Sequence, residues 1–259
     1  MSLNYYRGQA VARIATGESK GEIIYLDRSA QRTAEGSGLE LDLKNDKLVP
    51  LMSVDTRAVE FVAGCSGAGK SRYTAQLIKD WKKLNPDGRV YFFSCTSYKE
   101  DPAYNKIKMK QVTLDTRLLK ADSKKGELDD AIIKALRPGS LIVFDDVGTI
   151  INPKIKGAVC QLIMQIMEIG RRMRLWLILT NHLLNPAEKL LGRTVMNEMS
   201  NFTCFPQSGS KKQIRYALDK YFEMDKHQIN KVLSLPSRWV TLSKQSPLTV
   251  THENGIYLA

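Results

Sequence analysis

The sequence lacks several features that would indicate a membrane or zinc-binding protein. It contains no apolar run near the roughly 20 residues that a membrane-spanning helix needs, and its start, MSLNYYRGQA, lacks the apolar stretch of a secretory signal. It has no internal repeat and no basic low-complexity tail. The cysteines are far apart and show no metal-ligand spacing, so we expect buried free thiols at Cys65, Cys95, Cys160 and Cys204. We therefore expect an intracellular protein that is not secreted.

The sequence does contain a surplus of positive charge. Lys and Arg number 39 against 27 Asp and Glu, which gives a formal net charge of +12. A surplus of this size favours polyanionic partners, above all nucleic acid, although a basic surface that only confers solubility is the alternative. The cations lie in short clusters within folded-looking segments: Lys79/Lys82/Lys83, Lys106/Lys108/Lys110, Arg171/Arg172/Arg174 and Lys211/Lys212/Arg215.

Strands and helices alternate after residue 57. Apolar runs predict buried strands at 59–63, 89–94, 141–144 and 175–179, and helical patterns predict helices at 71–83 and 153–174. Asn152 and Pro153 are typical of a helix N-cap followed by the first helical residue. This alternation predicts an α/β fold with a mostly parallel sheet that helices cover on both faces.

The two ends of the chain differ from this middle part. Residues 1–57 contain short candidate strands and are expected to form an N-terminal β decoration. Residues 58–207 are expected to form the core. Residues 208–259 form an extension, with a basic helical stretch at 211–234 and a terminal hairpin built on 238–242 and 248–251. No clear linker separates these parts, so we predict one domain with decorations.

A phosphate-binding motif lies at the first of these strands. The stretch AVEFVAGCSGAGKSRYTAQLI, residues 58–78, places G-x-x-x-x-G-K-[ST] between an apolar strand and a helical pattern. The glycines let backbone N–H groups surround phosphate oxygens, Lys70 reaches the β- and γ-phosphates, and Ser71 supplies a hydroxyl to Mg²⁺. We predict an ATP-binding loop made by Gly64, Ser66, Gly67, Ala68, Gly69, Lys70, Ser71 and Arg72.

Two aspartates follow the strand LIVF. Hydrolysis of a nucleotide needs Mg²⁺ held by a carboxylate and a water oriented or deprotonated by a second group. Ligands in such sheets bind at the carboxyl ends of strands, where Asp145 and Asp146 stand. We predict that Asp145 holds Mg²⁺ and that Asp146 is the base for the attacking water; paired aspartates that only shape a loop are the alternative.

Polar and cationic residues flank the strand LWLIL. The strand ends in Asn181 and His182, either of which could sense the γ-phosphate, and a simple capped strand end is the alternative. Before the strand, Arg171 and Arg172 close a helix, and in a ring such an arginine can reach a neighbour's γ-phosphate. Cations at a helix C-terminus also complement the helix dipole. Arg171 and Arg172 are about 100° apart on the helix, so only one of them would face the neighbour. We take Arg171 as the candidate, with Arg172 and Arg174 as the alternatives.

Together these pieces resemble a known family. The stretches VPLMSVDTRAVEFVAGCSGAGKS, VYFFS, LIVFDD, GRRMRLWLILTNH and SRWVTLSKQSPLTVTHENGIYL span roughly residues 48–258. Their order and spacing are similar to those of viral genome packaging ATPases of the FtsK–HerA superfamily, of the poxvirus, large DNA virus and virophage type. The resemblance implies a P-loop NTPase fold of the RecA/ASCE kind. It implies that Lys70 and Ser71 bind phosphate and metal, that Asp145 holds Mg²⁺, and that Asp146, Arg171 and His182 occupy the places of the catalytic carboxylate, the arginine finger and the sensor glutamine.

The chain departs from that pattern in three places. Asp146 stands where many relatives carry Glu, and Asn181-His182 replaces the usual glutamine after Thr or Ser. The N-terminal barrel of the family is reduced to about 57 residues, judged by where the phosphate-loop strand begins.

The resemblance also implies a mechanism and partners. ATP hydrolysis would drive double-stranded DNA into a capsid through a homo-oligomeric ring, a hexamer or pentamer, with capsid vertex proteins as further partners, in the host cytoplasm or the virion. Basic clusters in 99–125 and 211–215 are the candidate DNA grips, and their contact would be electrostatic and sequence-independent.

The sequence alone is compatible with other functions. A helicase or a cellular DNA pump would share the catalytic motifs. A nucleotide kinase would need an acceptor pocket and lid arginines and would have no use for the positive surplus. A non-hydrolysing nucleotide-binding scaffold is disfavoured by the intact Lys70, Ser71 and Asp145.

Overall fold

A computed structural model of the chain describes residues 2–27, 40–52, 57–119, 131–182, 189–244 and 248–259. The chain divides into two compact units. One is Arg57–Met199, and the other combines Met1–Thr56 with Ser200–Ala259. The division into 1–57, 58–207 and 208–259 that the sequence suggests stays a prediction. Part of the candidate DNA grip, residues 120–125, lies outside the described residues.

The secondary-structure elements are numbered along the chain. The strands are β1 Ser2–Asn4, β2 Gln9–Ile14, β3 Ile23–Asp27, β4 Glu40–Asp42, β5 Leu48–Pro50, β6 Val59–Ala63, β7 Val90–Ser94, β8 Lys110–Thr113, β9 Leu141–Phe144, β10 Trp176–Asn181, β11 Asn201–Cys204, β12 Val240–Ser243, β13 Thr249–His252 and β14 Gly255–Leu258. The helices are α1 Lys70–Leu84, α2 Ala131–Lys134, α3 Pro153–Met173, α4 Lys189–Glu198, α5 Lys211–Phe222 and α6 Lys226–Ser234.

The unit Arg57–Met199 is built on a parallel sheet with strand order β8-β7-β9-β10-β6. Every residue of β6, β7 and β9 is buried. Since successive side chains of a strand point to opposite faces, this burial means that both faces of the sheet are covered. The structure therefore confirms the α/β P-loop NTPase fold expected from the sequence. It also places β10 between β6, which leads into the phosphate loop, and β9, which leads into the aspartates.

The long helix α3 forms as its N-terminal sequence predicts. The Asn152 side chain accepts hydrogen bonds from two backbone N–H groups of the first turn, and Pro153 is the first helical residue. The helix ends at Arg174, which has a left-handed backbone with φ of 51°. There the Arg57 guanidinium donates to the carbonyl oxygens of Met167 (3.2 Å) and Leu175 (2.9 Å). This arginine ties the end of α3 to the chain segment that enters β10.

The terminal unit contains antiparallel strands in the orders β1-β3-β2-β5 and β4-β14-β13-β12-β11. A hydrophobic core joins residues such as Ile14, Ile24 and Ile256. The predicted terminal hairpin forms from β12 and β13. After a turn at Asn254, β14 pairs with β13 and extends the hairpin to a three-stranded meander. The prediction did not include β14, a short strand of four residues.

The helical stretch predicted at 211–234 is interrupted in the structure. The chain forms α5 and α6, separated by Glu223, whose φ is 53°, and by Asp225. Asp225 and Gln228 form a capping box, in which each side chain accepts a hydrogen bond from the other residue's backbone N–H. A left-handed residue followed by a capping box ends one helix and starts another.

The expectation of buried thiols holds for one cysteine. Cys204 is buried, whereas Cys65 and Cys160 are half-buried and Cys95 is exposed. Cys95 follows directly after β7, so it has left the covered part of the strand. None of the helices in the described ranges is long and apolar enough to cross a bilayer.

Candidate active site

The phosphate loop connects β6 to α1 and depends on two glycines. Gly67 and Gly69 have φ of 76° and 106°, a left-handed region that side chains other than glycine rarely adopt. The first bond of α1 runs from the Tyr73 N–H to the Gly69 carbonyl, 3.0 Å. The N–H groups of Lys70, Ser71 and Arg72 therefore have no partner within the helix and point toward the loop, where an anion would be stabilised.

Lys70 is held inside this loop. Its side chain is 7 % exposed, and Nζ donates to the carbonyl oxygens of Gly64 (3.0 Å) and Cys65 (3.3 Å). Nζ also lies 3.7 Å from Oδ1 of Asp146, which is close enough for an ion pair and too long for a good hydrogen bond. The loop carbonyls thus fix the ammonium group between the loop and the aspartates.

Asp145, at the end of β9, is held by two hydroxyl groups. Thr180 Oγ1 donates to Asp145 Oδ1 at 2.9 Å, and the Tyr104 hydroxyl donates to the same oxygen at 3.2 Å. Burial, and next the charge of Asp146, raise the pKa of Asp145 above its ordinary value. A partly buried carboxylate that outer hydroxyls orient is typical of a metal ligand.

Asp146 adopts a left-handed backbone, with φ of 48°. Its N–H donates to Thr180 Oγ1 at 2.9 Å, so one threonine hydroxyl holds both aspartates. Asp146 Oδ2 lies 3.2 Å from His182 Nε2. Oδ1 is buried and accepts no hydrogen bond from any residue that the structure describes. This oxygen therefore faces the loop lysine with capacity to bind a further group.

The two sensor candidates differ in what they contact. The Asn181 carbonyl accepts from the Gly64 N–H at 3.1 Å, which fixes the loop to the end of β10. The Asn181 side-chain oxygen accepts from the His182 N–H at 2.9 Å and sits so near Gly148 that a Cβ there would come within 2.3 Å of it. His182 points its imidazole at Asp146. The geometry places the imidazole nearer to the aspartates, and the sensor role of either residue stays a prediction.

Arg171 is not brought to the phosphate loop of its own chain. α3 begins just after the aspartates at the carboxyl end of β9 and runs back for 21 residues, a length of about 31 Å. Its last turn, which carries Arg171, therefore lies toward the opposite end of the sheet. The Arg171 side chain is 74 % exposed and pairs with Glu198 at 2.8 Å. Arg171 could therefore contact only a γ-phosphate that is bound to another subunit.

Two residues near the aspartates were not predicted from the sequence. Thr180 directly follows the predicted strand 175–179, and its double hydrogen bond depends on β10 lying beside β9. A polar residue at the carboxyl end of a buried strand is the signal that could have identified it. Tyr104 lies 41 residues before Asp145 in the chain, and no short motif marks it.

The residues present fit ATP and Mg²⁺. Mg²⁺ is usually bound by one or two carboxylates together with substrate phosphates rather than by an all-protein cage. The described residues contain no group of three or more His, Cys, Asp or Glu placed to hold a metal ion. Ser71 at the start of α1 and Asp145 would hold Mg²⁺, and the loop N–H groups with Lys70 would hold phosphates.

The fold is similar to that of solved ATPases, whereas no protein-family model matches the chain. The cytoplasmic domain of the type VII secretion ATPase EccC from Thermomonospora curvata has a TM-score of 0.50 with this chain at 12 % identity, over 83 % of this chain and 28 % of EccC. The genome packaging NTPase B204 of Sulfolobus turreted icosahedral virus 2, solved with AMPPCP, has a TM-score of 0.47 at 12 % identity, over 80 % of this chain and 98 % of B204. The EccC likeness agrees with the P-loop fold described above.

One relative is similar in sequence along nearly its whole length. The uncharacterized protein V3 of Sputnik virophage is 33 % identical over 244 residues, which are 94 % of this chain and 93 % of V3. A virophage relative confirms the resemblance to viral proteins noted from the sequence. Because the identity extends over nearly all of both chains, this protein belongs to the family that contains V3 of Sputnik virophage.

Proposed function

We propose that this protein hydrolyses ATP to ADP and phosphate and uses the energy to move double-stranded DNA into a viral capsid, as a ring-forming packaging ATPase of the FtsK–HerA superfamily. The observation that carries the proposal is the convergence, at one edge of the sheet, of Lys70, Asp145, Asp146 and His182 beside a glycine-rich loop. Hydrolysis needs a carboxylate that holds Mg²⁺ and a second group that orients the attacking water, and the two aspartates can supply both.

Each residue has a role in this proposal. The loop N–H groups and Lys70 bind the phosphates, and Ser71 and Asp145 hold Mg²⁺. Mg²⁺ held by these residues would neutralise the charge that develops on the phosphates during hydrolysis. Asp146 orients the attacking water and accepts its proton as the oxygen–γ-phosphorus bond forms and the bond to the β-phosphate breaks. His182, 3.2 Å from Asp146 Oδ2, holds that carboxylate in place.

Arg171 would complete the site of a neighbouring subunit. It is exposed, it lies away from its own loop, and its only partner within the described residues is Glu198, itself 38 % exposed. Exposed ion pairs of this kind contribute roughly 0–1 kcal/mol, so Glu198 can orient Arg171 in the free subunit and release it at an interface. An arginine finger accelerates hydrolysis by roughly 10³ to 10⁵, which makes activity depend on the ring.

Exposed cations supply the surfaces for DNA. Lys99, Lys106 and Lys108 are exposed in the chain between β7 and β8, Lys110 is exposed at the start of β8, and α5 exposes Lys211, Lys212 and Arg215. Contacts from lysine and arginine to the phosphate backbone carry no sequence information, as packaging of a whole genome requires. Such contacts release counterions, so binding should weaken steeply as salt increases.

The viral setting is part of the proposal. The virophage origin of V3 supports a role in virus assembly, in the host cytoplasm or the virion, with capsid vertex proteins as partners. A ring of five or six copies is the expected assembly.

The proposal is tested by ATP hydrolysis with and without long double-stranded DNA, beside the Lys70→Ala variant. We expect DNA to stimulate the wild-type protein and the stimulation to fall with salt, and we expect Lys70→Ala to be inactive under both conditions. Hydrolysis that DNA leaves unchanged at low salt would contradict translocation. Transfer of phosphate to a small acceptor instead of water would point to a nucleotide kinase.

A further inference from the structure

The chain between β7 and β8 carries lysines on its surface and is anchored by buried side chains. We call residues 98–110 the lysine segment. Its exposed cations are Lys99, Lys106, Lys108 and Lys110, and its acidic residues are the exposed Glu100 and the half-buried Asp101. Between the lysines, Tyr98, Tyr104, Ile107 and Met109 are buried. The outer side of the segment can therefore face DNA while its inner side packs on the sheet.

Tyr104 reaches from this segment to the metal carboxylate. Its ring is fully buried and packs edge-on against Phe92 of β7, with centroids 4.9 Å apart. Its hydroxyl donates to Asp145 Oδ1 at 3.2 Å. Burial, and next the charge of Asp145, raise the pKa of Tyr104 well above its ordinary value, so the hydroxyl keeps its proton and remains a donor.

The backbone at Tyr104 belongs to the turns that carry the lysines. The Tyr104 N–H donates to the Asp101 carbonyl (3.0 Å), and the Tyr104 carbonyl accepts from the Ile107 N–H (2.8 Å), between Lys106 and Lys108. A shift of these turns would therefore move the Tyr104 hydroxyl relative to Asp145. Close-packed interiors transmit strain, so the packing of Tyr104 on Phe92 couples its hydroxyl to these turns.

We infer that Tyr104 is a positioning residue that fixes the Asp145 carboxylate for Mg²⁺ and joins it to the lysine segment. When the lysines contact DNA, the Tyr104 hydroxyl holds the Asp145 carboxylate more or less firmly, and this change would explain how DNA stimulates hydrolysis. The DNA part of this inference rests on the proposed function. The positioning of Asp145 does not, because it concerns Mg²⁺ and nucleotide alone.

Tyr104→Phe tests the inference, because it keeps the buried ring and removes only the hydroxyl. The measurement is binding of a fluorescent, non-hydrolysable ATP analogue as a function of Mg²⁺ concentration, so no turnover is needed. Loss of a group that orients a metal ligand typically weakens metal affinity about 10- to 100-fold. We expect the Mg²⁺ midpoint to rise about tenfold or more while analogue affinity in EDTA stays unchanged.

Tyr98→Phe is the matched control. Tyr98 is also buried in the lysine segment and also packs edge-on against Phe92, at 5.8 Å, but its hydroxyl donates to the Met109 carbonyl at 3.2 Å. We expect its Mg²⁺ midpoint to stay within about twofold of wild type, since no metal ligand loses a hydrogen bond. An equal shift in both variants, or a Tyr104→Phe protein that loses analogue affinity in EDTA as well, would overturn the assignment in favour of a general packing role. A Tyr104→Phe midpoint within twofold of wild type would also overturn it.

The DNA arm separates this inference from the proposed function. The stimulation ratio is the rate of ATP hydrolysis with DNA divided by the rate without it. If DNA stimulates the wild-type protein, Tyr104→Phe should lose most of this ratio and Tyr98→Phe should keep it. A Tyr104→Phe protein that keeps the full ratio would refute the link to the lysine segment. If DNA does not stimulate the wild-type protein, the proposed function fails, and the Mg²⁺ titration alone decides the role of Tyr104.

Discussion

Replacing Thr180 by Val would remove the one hydroxyl that holds both aspartates. Thr180 is fully buried, donates to Asp145 Oδ1 and accepts from the Asp146 N–H, each at 2.9 Å. Valine has nearly the same shape, so packing stays and two hydrogen bonds are lost. A bond to a charged group contributes about 1.5–3 kcal/mol, and a buried N–H left without a partner costs about 1–3 kcal/mol. Since Tyr104 still donates to Asp145 and the Asp146 N–H is only partly buried, we expect the lower end of the summed range, a loss of about 2.5–3 kcal/mol in the free energy of unfolding.

The assay is urea unfolding of the metal-free protein followed by tryptophan fluorescence. A Trp239→Phe background leaves Trp81 and Trp176. Their ring centroids are 5.8 Å apart within the unit Arg57–Met199, so their fluorescence reports the unfolding of that unit. The same variant should hydrolyse ATP about 10- to 100-fold more slowly, because both carboxylates lose their orientation.

Thr203→Val is the control for this prediction. It removes an equally buried hydroxyl that bonds Thr241 at 2.8 Å instead of an aspartate, so it should leave hydrolysis unchanged. A Thr180→Val protein as stable and as active as its parent would refute the reasoning that Thr180 holds the site.

Two further predictions concern charge at the site. The raised pKa of Asp145 means that the folded protein binds its proton more tightly than the unfolded chain. Ionisation of Asp145 therefore lowers the free energy of unfolding as the pH rises from the ordinary pKa of an aspartate, 3.8, through the raised pKa of the folded protein. In EDTA, Asp145→Asn should unfold at a higher temperature than wild type above that window, and the difference should vanish below it; a less stable variant at neutral pH would contradict this sign. Arg171→Ala should be inactive alone and regain partial activity when mixed with Lys70→Ala, because mixed rings pair an intact loop with an intact arginine. Arg172→Ala, exposed about 100° away on the same helix, is the control, and full activity of Arg171→Ala in a stable ring would exclude the finger.

Much of the core could be predicted from local sequence signals. The buried strands are continuous apolar runs, and the phosphate loop combines a strand, glycines and a helix in one contiguous stretch. Asn152 and Pro153 marked the start of α3 because capping depends on residues adjacent in the chain. These features involve neighbours in sequence, so their physics is visible without a structure.

The remaining features depend on contacts between distant residues. Thr180 contacts the aspartates only because β10 inserts between β6 and β9. Tyr104 reaches Asp145 only because the lysine segment folds back over β7. The pairing of Arg171 with Glu198 joins the end of α3 to the end of α4. The strand order and the path of the lysine segment are not encoded in any single motif, so these partners could not be named in advance.

The backbone of Asp146 bears on which acid can occupy that position. Aspartate and asparagine tolerate the left-handed region better than longer side chains do, because their short polar groups can bond locally. Glutamate is less favoured than aspartate at this φ of 48°, although Glu223 adopts a φ of 53° at the end of α5. The turn at residue 146 thus directs a short acid toward Lys70 and His182. Asp146→Glu would therefore change how well the residue fits this turn as well as how far the acid reaches.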